Sequence, residues 1–282
     1  MRLYILDLSF FSGGSQTLIR DVRYPSYLHA MTLSSGHALS ILSTSAKWEK
    51  DKESLFVVAG VYLSPHRKAG FKLNLCPFAL SCPSTCIDDT GKMSFHSESR
   101  VRRTLALYAY PDQWIQSLIM EIRVLAFKCS LLGKQLWIRL NGTSDIRWES
   151  ILDLAGLVNE IQGLSGFYDY TKYPSENRET SDQYRLCYSY DEGKHAQERA
   201  LEYLRSGNAV AVVVSPKDYK AYCNDYYLYS RFVDGESNDF RFLDGGSIVL
   251  LRAKRLFKGR PYNSEIVQPI ERALALCEVF NG

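Results

Sequence analysis

The sequence lacks the fingerprints of the commonest nucleotide-binding and hydrolytic sites. It contains no P-loop, no Rossmann glycine fingerprint and no Gly-x-Ser-x-Gly nucleophile elbow, which argues against the enzyme classes that depend on them. The five histidines never form a His-x-His pair, the metal ligands that a rolling-circle nickase needs. Tyr168 and Lys172 do stand at the Y-x-x-x-K spacing of such nickases, so that activity stays a minor alternative.

Long apolar runs and a strong charge imbalance are also missing. No stretch is long and apolar enough to cross a bilayer, and the opening Met1–Asp7 is interrupted by an acid too early for a secretory signal. A net charge of only +3 means that the chain as a whole is not a polycation. Seven cysteines is an odd number in a chain large enough to fold without disulfides, so we expect a reducing cytoplasm.

What the sequence does contain is typical of a folded α/β protein. It is 46% hydrophobic and 23% charged, and its 19 tyrosines fit either a partly wet cavity or an interface. From Pro111 onward, helical and strand patterns alternate, which predicts parallel strands with crossover helices. We therefore expect an incomplete or decorated TIM-like barrel, although an open parallel sheet fits as well.

The predicted organisation is a single α/β domain over residues 1–282, without an internal repeat or a linker. It has an irregular part (1–70), a cysteine loop (71–96) and βα repeats (97–282). The predicted strands are 54–63, 136–140, 166–170, 184–190, 209–214 and 247–251. The predicted helices are 97–110, one from Pro111 that Gly133 ends, 149–162, 194–205 and 265–279, and a tyrosine-rich irregular stretch runs to about Arg231.

Three clustered cysteines predict a metal site. Cys76, Cys82 and Cys86 have the spacing C-x5-C-x3-C, and one short loop can direct three thiolates at a common point. Such a trio holds either zinc, with His66 or His96 as fourth ligand, or an iron–sulfur cluster with one open iron. The alternative is that some of these cysteines are small buried hydrophobic residues.

Polar residues at the carboxyl ends of the predicted strands form a second candidate site, because ligands of parallel α/β folds bind there. Asp145 and Lys172 are the predicted catalytic pair, with Asp145 orienting or deprotonating the substrate and Lys172 neutralising negative charge. The alternative for Asp145 is a helix cap. The predicted substrate-binding residues are Asn141, Tyr170, Asp239 and Arg241.

Clusters of cations predict contacts with nucleic acid. Arg252, Lys254 and Arg255 belong to a run of five cations without an acid, and Arg100 and Arg103 form a second cluster. Such clusters neutralise phosphates, and neighbouring Phe and Tyr rings stack on bases. The alternative is a solvated basic face that contacts no ligand.

Four longer motifs carry a family resemblance. They are Asn-x-Cys-Pro-x-Ala-x-x-Cys from Asn74, Arg-Leu-Asn-Gly-Thr-Ser-Asp-Ile-Arg-Trp-Glu over 139–149, Phe-Tyr-Asp-Tyr-Thr-Lys over 167–172, and Asp-Gly-Glu from Asp234 with Asp-Phe-Arg-Phe-Leu-Asp over 239–244. With these, the chain resembles a family of uncharacterised proteins from bacteriophages and mobile elements, over about residues 70–255. The resemblance implies a phage or prophage origin and a location in the host cytoplasm, and it implies no particular reaction.

A weaker resemblance is to radical-SAM enzymes, which also place a three-cysteine loop before a partial parallel barrel. Their spacing is C-x3-C-x2-C, and this chain has no clear Gly-Gly-Glu segment for S-adenosylmethionine. The leading hypothesis is thus a phage-encoded metalloprotein that modifies nucleic acid or a nucleotide. The competing hypotheses are a zinc-stabilised protein that binds DNA or RNA, and a factor that binds a host protein.

Overall fold

The computed structural model describes residues 25–43, 53–70, 73–254 and 266–281. The architecture is mixed α/β, with an eight-stranded, mostly parallel sheet in the order β1-β2-β3-β4-β5-β6-β8-β7. The strands are β1 (Leu42–Ser43), β2 (Phe56–Val61), β3 (Gln135–Arg139), β4 (Leu164–Thr171), β5 (Tyr184–Ser189), β6 (Ala209–Val214), β7 (Val233–Asp234) and β8 (Ile248–Arg252).

Eight α-helices lie in the described ranges. They are α1 (Tyr27–Ala30), α2 (Ser97–Ala109), α3 (Pro111–Leu131), α4 (Leu154–Glu160), α5 (Ala196–Arg205), α6 (Pro216–Asn224), α7 (Tyr226–Tyr229) and α8 (Ile270–Asn281). The helix signals of the sequence act where expected. Pro111 opens α3, and Gly133, with φ of +63°, follows its end because glycine adopts this left-handed conformation without steric cost.

The chain forms two compact units. Unit 1 comprises Met1–Pro77 and Lys92–Phe167, and unit 2 comprises Phe78–Gly91 and Tyr168–Gly282. The second boundary falls inside β4, which explains why no linker-like segment marks it in the sequence. The prediction of one α/β domain stays a prediction.

Unit 1 is built around the long helix α3. Strand β2 pairs with β1 antiparallel and with β3 in parallel, and α3 contacts α2, β1 and β3. Trp114 on the buried face of α3 stacks on Trp148, with ring centroids 5.9 Å apart, and neither side chain is exposed. Burying two such large aromatic surfaces supplies much of the apolar burial in this unit.

Unit 2 centres on β6, whose sequence AVAVVV is typical of a strand buried on both faces. It pairs in parallel with β5 and β8, and β7 pairs in parallel with β8. Helix α5 contacts β5 and β6. Its Tyr203 stacks on Tyr188 of β5 at 5.2 Å, which fixes helix against sheet.

Most predicted elements are confirmed with small boundary shifts, and so is the α/β class. Three predictions were wrong in detail. The segment predicted as helix 149–162 is a short 3₁₀ turn, Trp148–Ser150, followed by the seven-residue α4, which begins after Asp153 caps it. The tyrosine-rich stretch is not irregular but forms α6 and α7. The described portion of 1–70 holds α1, β1 and β2, while residues 1–24 lie outside the described residues. The finer prediction of a TIM-like barrel stays a prediction.

No helix among the described residues is long and apolar enough to span a membrane.

Candidate functional site

Cys76 joins two loops of unit 1. Its sulfur accepts a hydrogen bond from the backbone N–H of His66 at 3.3 Å, and its thiol donates weakly to the carbonyl oxygen of Thr143 at 4.0 Å. Its own N–H donates to the side-chain oxygen of Asn74 at 3.0 Å. The pKa of His66 is lowered by burial and by the charges of Arg67 and Lys68, which favours a neutral imidazole.

Cys82 and Cys86 belong to unit 2, in the segment 78–91. Cys82 begins a 3₁₀ helix, Cys82–Thr85, and Cys86 is buried. Just before them, the N–H of Ser81 donates to the carboxylate of Glu192 at 2.8 Å, which ties the segment to the loop after β5.

A shared metal centre for the three cysteines has no support in the described part of the chain. There, no group of three or more His, Cys, Asp or Glu side chains is placed to hold a metal ion. All three cysteines are described residues and all are without disulfides. The predicted zinc or iron–sulfur centre, and with it S-adenosylmethionine, therefore stays a prediction.

Asn141 is the centre of a buried hydrogen-bond network in unit 1. Its side-chain oxygen accepts from the Ser144 hydroxyl at 2.9 Å, the Ile146 N–H at 2.9 Å and the Trp148 indole N–H at 3.1 Å. Its amide nitrogen donates to the Ile146 carbonyl at 2.8 Å, and the residue is only 1% exposed. Asn141, which was predicted to bind substrate, thus shapes the loop that follows β3.

Gly142, next in the chain, lets this loop approach β2. Its N–H donates to the carbonyl of Val61 at 2.9 Å. A Cβ at this position would lie 2.7 Å from that same oxygen and 2.7 Å from the ring of Tyr62, a distance that side chains do not tolerate. Only glycine fits here without displacing backbone.

The two predicted catalytic residues belong to different units. Asp145 is buried in unit 1, where its N–H donates to the carbonyl of Leu75 at 2.8 Å, and it caps neither the following 3₁₀ helix nor α4. Lys172 is buried in unit 2 just after β4, and its ammonium donates to the carbonyl of Ser189 at 2.9 Å. The acid–base pair of Asp145 and Lys172 stays a prediction.

Lys172 and its neighbours form a polar cluster at the carboxyl ends of β4 and β5. Burial raises the pKa of Glu192, but hydrogen bonds from Ser81 and the charge of Lys172 outweigh it, so the pKa is lowered overall. Asp191 accepts from the Tyr188 hydroxyl at 2.9 Å and from the Gly193 N–H at 2.7 Å. Asp191 and Glu192 were expected to cap α5, but its N-cap is His195, without a side-chain cap.

Tyr170, Asp239 and Arg241 do come together, as a second cluster of unit 2. The hydroxyl of Tyr170 donates to Asp239 at 2.9 Å, and the buried Arg241 lies 3.9 Å from Asp239 and 3.0 Å from Asp244. The Arg241–Asp244 contact is an ion pair without hydrogen-bond alignment, and Nη2 instead donates to the Asn238 carbonyl at 2.7 Å.

The charges in this cluster balance unevenly. Burial, with the nearby charge of Asp239, raises the pKa of Asp244 despite the opposing effect of Arg241. Burial alone would lower the pKa of Arg241, but Tyr170, Asp244 and Asp239 raise it, so the guanidinium stays charged. Because these groups satisfy one another and are largely buried, the cluster anchors segment 238–244 in unit 2.

The predicted phosphate-binding cations fall into two classes. Arg100 and Arg103 are buried in unit 1, at 1% and 7% exposure, and Arg103 donates to the carbonyl of Ser40 at 2.7 Å. Their burial argues against a role in phosphate binding. Arg252 and Lys254 at the end of β8 are exposed, as the prediction requires. Arg255 lies outside the described residues.

An exposed aromatic surface on α7 was missed by the sequence analysis. Tyr226, Tyr227 and Tyr229 are 88%, 55% and 53% exposed, and the guanidinium of Arg231 lies 4.3 Å from the ring centroid of Tyr227. The helix begins at Asp225, whose carboxylate accepts from the N–H groups of Tyr227 and Leu228. The signal for this surface was the density of tyrosine, five in residues 216–231.

A row of packed rings links α7 to the basic end of β8. Tyr229 stacks on the fully buried Tyr222 at 5.4 Å, and Tyr222 lies 5.7 Å from Tyr219. The guanidinium of Arg252 is 5.8 Å from the Tyr219 ring. We call Tyr226, Tyr227 and Tyr229, together with Arg231 and Arg252, the tyrosine surface.

With the geometry described, the comparison with known families is decisive for origin. Residues 32–265 match the family described as Gene product 88, which covers well over half of the 282 residues. The chain belongs to the Gene product 88 family. Because this is a phage-type family, the resemblance to bacteriophage proteins is confirmed, whereas the weaker resemblance to radical-SAM enzymes is not. No curated protein and no solved structure matches this Gene product 88 chain.

Proposed function

We propose that this Gene product 88 family protein binds single-stranded nucleic acid through the tyrosine surface of unit 2. The observation that carries the proposal is the exposure of Tyr226, Tyr227 and Tyr229 on one short helix beside Arg231. Proteins that bind single strands combine aromatic rings, on which bases stack, with cations that track the phosphates. Both features occur here on one surface.

The scaffold beneath the rings supports this function. Tyr222 is fully buried and its hydroxyl donates to the carbonyl of Phe232 at 3.3 Å, so it is a fixed platform under the half-exposed Tyr229. The hydroxyl of Tyr219 donates to Asp234, and its ring faces Arg252. Rings held in place lose little side-chain entropy when a base stacks on them.

Cations at both ends of the ring row supply the electrostatic part. Arg231 adjoins α7, while Arg252 and Lys254 are exposed at the end of β8. Lys217 and Lys220 on α6 add two more exposed cations. Since the whole chain carries only +3, binding depends on this local concentration of charge and is sensitive to salt.

The test is fluorescence anisotropy with a labelled oligothymidylate of about 20 nucleotides, long enough for the usual site size of single-strand binding proteins. We expect Tyr226→Ala to weaken binding by about tenfold or more, because losing one base stack costs about 1–3 kcal/mol. Tyr226→Phe keeps the ring and is expected to bind like the wild type. The matched control is Phe95→Ala, which removes an aromatic side chain 73% exposed in unit 1.

Salt dependence provides a second readout. Arg252→Ala is expected to weaken binding and to reduce the slope of log affinity against log salt by about one, as for the loss of one phosphate contact. The proposal fails if the wild type binds no single strand at about 50 mM salt, where such electrostatic binding is strong. It also fails if Tyr226→Ala and Phe95→Ala have the same effect, or if duplex binds more tightly than single strands.

The metalloenzyme hypothesis remains a prediction of a different kind. Its residues Cys76, Cys82 and Cys86, and its pair Asp145 and Lys172, are divided between units 1 and 2. Nucleic acid was also its predicted substrate, so binding through the tyrosine surface is compatible with it. Binding alone accounts for the described surface without a reaction.

A further inference from the structure

Helix α3 carries an apolar stripe on its outer face. Met120, Val124, Phe127 and Leu131 are 59%, 51%, 63% and 70% exposed, although the opposite face of the helix is buried in unit 1. Their spacing of four, three and four residues places them on one line along the helix. Single exposed apolar residues are ordinary, but a continuous row of four marks an interaction surface.

The stripe has the spacing of a two-helix seam. Apolar residues alternating at three and four residues are the a and d positions of a heptad, where side chains of one helix insert between those of another. Val124 and Leu131 occupy a positions, and Met120 and Phe127 occupy d positions. At 1.5 Å per residue, the stripe is about 17 Å long.

The stripe is also matched to itself. When two copies of α3 run antiparallel, Met120 faces Leu131 of the second copy and Val124 faces Phe127, so that the small side chain meets the large one. Such self-complementarity is what a two-fold symmetric interface requires. Beside the seam, Arg123 is already paired with Glu160 at 2.9 Å, which reduces like-charge repulsion between two copies.

The available area suits a weak dimer. Four stripe side chains and the adjoining Leu132, which is 70% exposed, offer roughly 500 Å² per copy, at about 100 Å² for each side chain. The total of roughly 1,000 Å² is at the lower end for specific interfaces, where association is weak and transient.

We propose that the protein forms a symmetric homodimer in which the α3 stripes of two copies pack antiparallel. This association is independent of the nucleic-acid-binding surface, which lies in unit 2 on other residues. Because the area is small, the dimer dissociates on dilution in the micromolar range.

Sedimentation velocity of the full chain between about 1 and 100 µM, the range for an interface of this size, tests the proposal. We expect the wild type to shift from monomer to dimer across this range. Val124→Glu, which places a charge in the seam, is expected to weaken dimerisation by at least tenfold. The matched control is Val279→Glu, another helical valine of nearly equal exposure (49%), which is expected to dimerise like the wild type.

Circular dichroism and tryptophan fluorescence show whether each variant is folded, and both substitutions are at exposed positions. A wild type that stays monomeric at about 100 µM overturns the proposal, since an interface of about 1,000 Å² associates below that concentration. Undiminished dimerisation of Val124→Glu, or equal loss in Val279→Glu, overturns it as well. A monomer that acquires mass only with a different protein assigns the stripe to that partner instead.

Discussion

Replacing Asn141 by alanine separates a structural role from a role in ligand binding. The substitution removes the acceptor for two buried donors, the N–H of Ile146 and the indole N–H of Trp148. The carbonyl of Ile146 keeps the N–H of Trp148 as a partner at 3.1 Å, and the hydroxyl of Ser144 can rotate to a new acceptor. Two donors are therefore stranded.

The expected cost follows from those two donors. A buried hydrogen-bonding group left without a partner costs about 1–3 kcal/mol, so we expect unit 1 to lose about 4 kcal/mol of unfolding free energy. Ser144→Ala removes a donor instead of the shared acceptor and is expected to cost about 1 kcal/mol. The matched control Asn159→Ala, at an exposed site of α4, is expected to change stability by less than about 0.5 kcal/mol.

Urea unfolding followed by tryptophan fluorescence is the appropriate assay, because all four tryptophans belong to unit 1. Trp148 itself lies in the network, and its stacking on Trp114 is lost on unfolding. If Asn141→Ala unfolds within about 1 kcal/mol of the wild type, the network does not stabilise the loop as we argue. Normal stability combined with lost ligand binding would restore Asn141 as a substrate-binding residue.

Two further predictions concern ionisation and metal content. Burial, and then the charges of Asp191 and Asp234, raise the pKa of Tyr188 and Tyr222 respectively; both are fully buried. The unfolded chain ionises them near pH 10 while the folded protein keeps them protonated, so stability is complete below about pH 10 and falls above it, by about 1.4 kcal/mol per residue at pH 11. Urea unfolding at both pH values checks this: Tyr188→Phe must reduce the loss, with Tyr226→Phe as the surface control. For the metal, protein purified without oxygen is analysed for iron, zinc and sulfide; the thiolate prediction expects a metal that Cys86→Ala depletes, and wild type without metal refutes it.

Local signals predicted most of the fold. Pro111 and Gly133 bound α3 because backbone restrictions act on single residues, and the run Ala209–Val214 identified β6 because a strand buried on both faces needs no polar alternation. The helix predicted over 149–162 was too long because Asn141 draws Trp148 into its network before Asp153 caps α4.

The candidate sites were harder to predict because chemical type does not reveal exposure. Arg100 and Arg252 are equally basic in the sequence, yet one is buried in unit 1 and the other is exposed on β8. The stripe of α3 escaped notice for a related reason. Met120 and Phe127 resemble core residues as a pattern, and only the packing of the opposite face shows that they lie outside.

The order in which the two units use the chain bears on synthesis in the cell. Residues 78–91 belong to unit 2, but they leave the ribosome before most of unit 1 and long before Tyr168. At about 5–20 residues per second, this short stretch waits several seconds for the strands that complete its unit, while the remainder of unit 1 is still being made. Neither unit can be produced by cutting the gene once, so a nonsense mutation near its middle removes part of both.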